Sequence, residues 1–195
     1  MTRFEYAAIF YGFVVGLALQ NILSSVHKLL EAGGRVRWHW MAPATALYTT
    51  ILTLGSFWSW WLKRDENHGQ RTFLTFLLTA AALSLLFLAC AATLPDDVPE
   101  QGLDLRQYYF DNQRRFWSLF TATFALNALT WVIALVQSGY DAQFLRADLP
   151  ILIGNVAGIA IGLTSIYVRK PWWHAVAIVA SLAFVLLVFA PMQLV

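Results

Sequence analysis

The chain has 195 residues, of which 59% are hydrophobic and only 12% are charged. Soluble domains are about 45–50% apolar and about 25% charged, so this composition excludes an ordinary soluble domain and indicates a membrane protein. The formal net charge of +2 is too small to predict a nucleic-acid partner. The single cysteine, Cys90, excludes a disulfide bond within the chain.

Six segments of the chain are long and apolar enough to cross a bilayer as helices, which takes about 20 residues. Charged residues or turn formers separate them. The first segment exceeds the ~7–15 apolar residues of a signal peptide, so we expect it to be retained. The sequence predicts an all-α polytopic membrane protein, with residues 1–195 forming one domain, a bundle of six transmembrane helices. The predicted spans are residues 6–30, 40–62, 72–94, 116–137, 149–168 and 172–194.

The longest connection, residues 94–115, contains five acidic residues and three arginines. Asp104 is placed to cap a helix, so we expect a short interfacial helix that continues into the fourth span. The alternatives are an ordered surface loop with anchoring aromatic residues, and a docking site or gate. Eight Lys and Arg residues lie on the membrane face of this connection and five on the other face. The positive-inside rule therefore predicts that the connection is cytoplasmic.

The first span contains a polar run, GLALQNILSSVHKLL, in its second half. At about 100° per residue, its polar side chains share one face, and we expect the opposite apolar face to meet lipid. The polar face is then predicted to line a water-filled cavity or pore, or to form hydrogen bonds between helices. To these polar residues of the first span we add one asparagine of the fourth span and one of the fifth. The candidate pore or cavity residues are Gln20, Asn21, Ser24, Ser25, Lys28, Asn127 and Asn155.

Glycines at four-residue spacing occur in two spans and predict close helix packing, because small residues let a second backbone approach. One pair precedes the polar run of the first span. The other set forms the pattern GNVAGIAIG in the fifth span, where the contact can lie within the bundle or across a homo-oligomer interface. The candidate packing residues are Gly12, Gly16, Gly154, Gly158 and Gly162.

Three histidines, His27, His39 and His174, lie near span ends on the same membrane face. Imidazoles there are candidates for metal or haem ligands or for a pH sensor. Histidine beside tryptophan is also an ordinary interfacial residue, and no two of the three share a helix. We therefore predict no cofactor and keep haem or a metal as the alternative.

Enzyme motifs are absent from the sequence, which contains no GxSxG, HExxH, Walker or CxxC pattern. The sequence therefore identifies no catalytic residue and does not favour an enzyme. Moreover, no acidic or basic residue lies in the central part of any predicted span, which disfavours ion-coupled pumps.

Three stretches, FEYAAIFYGFVVGLALQNILSSVHKLL, RVRWHW and LDLRQYYFDNQRRFW, resemble a group of small bacterial multi-pass membrane proteins without a known activity. The resemblance covers about the first 120 residues. It implies a place in the bacterial inner membrane, and it implies no activity, cofactor or catalytic residue.

The polar run and the glycines together favour a homo-oligomeric channel or passive transporter for a small ion or solute. One alternative is an accessory membrane protein that binds a ligand, a lipid or another membrane protein. A membrane protein with haem or a metal at the histidines is the other. The expected partners are the lipid bilayer, further copies of the chain and, in the accessory case, another membrane protein.

Overall fold

The computed structural model describes residues 3–62, 73–137 and 142–190. Within these residues the chain forms six α-helices and one pair of two-residue strands, which confirms the all-α fold class. Residues 72 and 194, the expected limits of two spans, lie outside the described ranges. The elements are α1 (Arg3–Ala32), a short 3-10 helix (Gly33–Arg35), β1 (Val36–Arg37), α2 (Met41–Leu62), α3 (Phe73–Ala91), β2 (Leu103–Asp104), α4 (Leu105–Gln137), α5 (Ala142–Tyr167) and α6 (Pro171–Phe189).

Five of the described helices, all except α2, are long and apolar enough to cross a membrane. The protein is therefore a helical membrane protein, and the sixth span stays a prediction. Helix α2 has 22 residues, which is sufficient length, but its four threonines and its Tyr and Trp residues lower its hydropathy. Protein surrounds much of α2, because α1, α3, α4 and α6 all pack against it.

The threonines of α2 satisfy their hydroxyl groups within the helix. Thr45 donates to the carbonyl oxygen of Met41 at 2.7 Å, and Thr53 donates to that of Thr49 at 2.7 Å. Hydroxyls bonded to the preceding turn leave no unsatisfied donor in an apolar environment. The central helix can therefore be less apolar than its neighbours and still be buried.

Helices α4 and α5 share the most extensive contact between helices in the described structure. A Cβ atom added to Gly158 would lie 2.5 Å from Cδ1 of Phe124, and one added to Gly162 would meet Thr121. Residue numbers therefore rise along α5 as they fall along α4, which shows that the two helices run antiparallel. A Cβ atom added to Gly154 would likewise meet a side chain of α6. The glycines of the fifth span thus pack within the bundle, against α4 and α6.

Asp104 caps α4, as its sequence position predicts. Its Oδ1 accepts hydrogen bonds from the backbone N–H groups of Arg106 at 2.8 Å and Gln107 at 3.2 Å. These bonds, led by that from Gln107, hold the pKa of Asp104 below its ordinary value. Because the folded-state pKa is depressed, the stabilisation is present above the unfolded-state pKa and is lost as the pH falls through the folded one. Helix α4 then continues to Gln137 without a break.

The connection between α3 and α4 is held against the end of α1, which no sequence pattern indicates. Strand β2 pairs in parallel with β1. Gly102 adopts a φ of +94°, and a Cβ atom there would lie 2.9 Å from the carbonyl oxygen of Arg35. Lys28 Nζ donates to Asp97 Oδ1 at 2.9 Å and to the carbonyl oxygen of Asp96 at 2.8 Å. The strand pairing and the hydrogen bonds of Lys28 therefore hold this connection against the end of α1, and Gly102 allows the close approach to Arg35.

We predict that Gly158→Val lowers the free energy of unfolding by about 1–3 kcal/mol, because the new side chain overpacks the α4–α5 contact. The matched control is Gly34→Val, since Gly34 is exposed in the turn after α1 and nothing lies within 4 Å of a Cβ atom added there. Denaturant unfolding in detergent micelles measures both variants. An equal loss of stability in the two would contradict the packing role of Gly158.

Candidate functional site

Gln20 and Ser24 of the polar run lie on the outer surface of the single chain, and the apolar face of α1, which we expected to meet lipid, is the face that packs into the bundle. Ala18, Ile22 and Leu29 on the apolar face are buried, because α1 packs against α2 and α3. Gln20 and Ser24 on the opposite face are exposed. Lipid is as apolar as leucine, so fit between side chains, more than polarity, selects the face that enters a membrane bundle.

The other members of the run do not share one environment. Ser25 is buried and Asn21 is half-buried. Lys28 is exposed and forms its ion pair with Asp97 at 2.9 Å. Of the predicted cavity residues on α1, only Gln20 and Ser24 are therefore exposed without an ion pair.

Four exposed residues of α1, each four positions from the next, form one continuous row on the outer face. We call Gly12, Gly16, Gln20 and Ser24 the polar row. Nothing lies within 4 Å of a Cβ atom added to either glycine, and the Gln20 amide makes no hydrogen bond with any described residue. Gln20 lies near the midpoint of the candidate span Ala7–Arg35, which places it near the middle of a hydrocarbon core of about 30 Å.

Asn127 and Asn155 do not join the polar row. Their amide nitrogens donate to carbonyl oxygens one turn earlier, of Thr123 at 3.1 Å and Ile151 at 3.0 Å. Asn127 belongs to α4 and Asn155 to α5, and these two helices pack against each other, whereas α1 packs against α2 and α3. Each amide is thus engaged locally in its own helix.

The three histidines occupy different environments. His27 is exposed, with Nε2 lying 3.4 Å from Oε1 of Glu31. His39 stacks on Trp40, and its buried Nδ1 has no partner among the described residues. His174 is fully buried. In the part of the chain that the structure describes, no three His, Cys, Asp or Glu residues are grouped closely enough to hold a metal ion.

His174 belongs to a hydrogen-bonded network that joins α4, α6 and the end of α5. Its Nε2 lies 2.7 Å from the carbonyl oxygen of Val168, which can only accept, so Nε2 carries the proton. In the neutral ring, Nδ1 then accepts from the Tyr109 hydroxyl at 2.9 Å. That hydroxyl oxygen accepts from Trp117 Nε1 at 3.2 Å. Both nitrogens of His174 are therefore occupied in this arrangement.

The sequence contained a signal for this network. Tyr109, Gln113 and Trp117 are spaced four residues apart, which places them on one face of α4. All three side chains are buried. The Gln113 amide between the two aromatic residues has no hydrogen-bond partner among the described residues, which leaves its desolvation uncompensated in this conformation.

The two clusters differ in the chemistry that they offer. The network around His174 is buried and internally hydrogen-bonded, so it fixes the fold. The polar row has a free amide and a hydroxyl near the middle of the membrane, and these groups can bind a second helix or a hydrogen-bonding solute. The comparisons with known proteins give no match to this chain among family models, curated proteins or solved structures.

We predict that Tyr109→Phe lowers the free energy of unfolding by about 2–4 kcal/mol. The change leaves His174 Nδ1 and Trp117 Nε1 buried without partners, at about 1–3 kcal/mol each. Tyr108→Phe is the matched control, because the half-buried hydroxyl of Tyr108 forms no hydrogen bond with the described residues. Denaturant unfolding of both variants tests the network, and similar stabilities would argue against it.

Proposed function

We propose that the protein is a homo-oligomeric membrane protein whose copies meet through the polar row of α1 and form a path for a small ion or solute between them. The observation that supports this proposal is the position of Gln20, which is exposed near the middle of the membrane beside two glycines in open space. From the sequence resemblance and the distribution of Lys and Arg, we also propose that the protein lies in the bacterial inner membrane with residues 94–115 in the cytoplasm.

The energetic basis of the proposal is the environment of the Gln20 amide. An amide that faces hydrocarbon without a hydrogen bond is strongly unfavourable. A second helix that approaches over Gly12 and Gly16 brings its own polar groups within reach of Gln20. Hydrogen bonds between membrane helices contribute about 0.6–2 kcal/mol each, and the glycines add van der Waals contact along the row.

A second copy of the chain is a suitable occupant because the polar row is self-complementary. An amide both donates and accepts, so two Gln20 side chains related by a twofold axis can bond to each other. The row follows one line of four-residue spacing on the helix surface, and a twofold axis can place the glycines of one copy against those of another.

The path that we propose lies between copies and not within one chain. At the centre of the bundle, Tyr48, Trp117 and Phe120 are buried, with the rings of Tyr48 and Phe120 centred 5.6 Å apart. The side chains of Gln20 and Ser24 face outwards. If the copies surround a common axis with α1 facing it, Gln20 and Ser24 point towards that axis. Lys28 and its ion pair with Asp97 then lie at one end of the path.

The accessory role is the second candidate, and the same surface supports it. Glycines in open space can receive a helix of another membrane protein as readily as a second copy. The haem or metal alternative has less support, because hydrogen bonds occupy both nitrogens of His174. Of the three histidines, only His27 and His39 retain a nitrogen without a hydrogen-bond partner among the described residues.

Disulfide trapping tests the interface. Cys90 is the single cysteine of the chain and is buried, so Cys90→Ala gives a suitable background. We expect Ser24→Cys to form a linked dimer under mild oxidation in native membranes, because paired rows bring equivalent residues within disulfide reach. The control is Ser84→Cys, which replaces an exposed serine of α3. Equal linkage of the two variants, or none for Ser24→Cys, would refute the interface.

Conductance tests the path separately from the interface. We predict that the protein conducts in planar bilayers bathed in potassium chloride, or accelerates glycerol-driven swelling of proteoliposomes. Gln20→Leu should weaken association about three- to thirtyfold and lower the flux with it. Asn127→Leu, which replaces an exposed amide on α4, should leave the flux unchanged. A trapped dimer without flux would favour the accessory role.

A further inference from the structure

A group of cations lies at the corner where α5 ends, α6 begins and α4 passes. Phe110 and Trp117 of α4 both contact the His174 ring, with centroids 5.4 and 6.1 Å away. Arg114 lies between them in sequence and, at about 100° per residue, within about 60° of both around α4. The bond from His174 to Val168 brings Arg169 and Lys170 to the same corner.

These three cations have no anionic partner in the described part of the chain. Arg114, Arg169 and Lys170 are all exposed, and none forms an ion pair with a described acidic residue. By contrast, Lys28 and Arg37 at the same end of the bundle lie 2.9 Å from Asp97 and 3.8 Å from Asp104. The corner therefore carries a net positive charge, even when Asp111, three residues before Arg114 on α4, is counted.

The start of α6 adds to this positive potential. Its N-cap residue, Lys170, provides no side-chain cap, and no acidic residue occupies the first turn. Pro171 has no N–H group, and the N–H groups of Trp173 and His174 donate to the Lys170 carbonyl oxygen. The helix dipole and the N–H group of Trp172 are what favour an anion here. This feature alone would not define a site, but it lies directly beside the three cations.

The corner lies at the membrane–water boundary. The candidate span of α5 ends at Tyr167 and that of α6 begins at Pro171. The side chains of Tyr167 and Trp172 are 77% and 61% exposed, and exposed aromatic rings of this kind are typical of the headgroup level of a bilayer. An anion bound here would contact cations on one side and apolar rings on the other.

We propose that this corner binds the head group of an anionic phospholipid through Arg114, Arg169 and Lys170. The phosphate would lie among the three cations at the start of α6, and the acyl chains would follow the exposed apolar surface below Tyr167 and Trp172. Boundary depth and aromatic neighbours favour a membrane lipid over a soluble phosphate, because a soluble anion gains nothing from them. This site does not depend on the proposed function, since it lies on α4–α6 and the polar row lies on α1.

The experiment measures phosphatidylglycerol binding to the full-length protein by native mass spectrometry, after extraction from phosphatidylcholine nanodiscs. We expect apparent affinity to fall about fivefold for Arg114→Gln, and on the order of a hundredfold when Arg169→Gln and Lys170→Gln are added. All three residues are exposed, so the variants should fold, and thermal unfolding in phosphatidylcholine checks this.

Arg115→Gln is the matched control. It removes the same charge at the same depth, but Arg115 lies about 140–160° around α4 from Phe110 and Trp117. A change below about twofold for Arg115→Gln supports a defined site. An equal loss for Arg114→Gln and Arg115→Gln, or no preference for phosphatidylglycerol over phosphatidylcholine, would overturn the proposal. Displacement of the lipid by inorganic phosphate at equal affinity would overturn it in favour of a soluble-anion site.

Discussion

The structure depends on one constraint, which is that helices in lipid associate by fit and by satisfied hydrogen bonds, not by the exclusion of apolar surface. The α4–α5 contact shows the first requirement, since Gly158 and Gly162 allow Phe124 and Thr121 to approach the α5 backbone. Helix α2 shows the second, because its buried threonines bond to carbonyl groups of the preceding turn. With both requirements met, a moderately polar helix can occupy the centre of the bundle.

The same constraint explains why the sequence predicts some features well and others poorly. Helix positions follow from hydropathy and turn formers, and the Asp104 cap follows from a local hydrogen-bonding rule, so both are accessible from sequence. The face of α1 that enters the bundle depends on shape complementarity with α2 and α3, which no periodicity encodes. The contrast between Gly12, in open space, and Gly158, in close contact, is invisible for the same reason.

The candidate site shows this division in more detail. Gln20 and Ser24 share a face at mid-depth, as the spacing predicts, but the direction of that face is a property of the folded bundle. The partnership of Tyr109 with His174 joins residues 65 positions apart, and they meet because α5 runs antiparallel to α4 and returns the chain to the end of the bundle where α4 begins. Spacing within α4 indicates that Tyr109 and Trp117 share a face and gives no information about the residue opposite.

Inside the bundle, the hydroxyls of α2 and the ring of His174 are bonded to their neighbours, and such groups give rigidity and little further reactivity. The groups with unused hydrogen-bonding capacity or charge that we describe lie mainly on the outside, in the polar row at mid-depth and in the cation corner at the boundary. An arrangement of this kind directs recognition outwards, so the surroundings in the membrane, further copies and lipids, complete the sites that one chain leaves open.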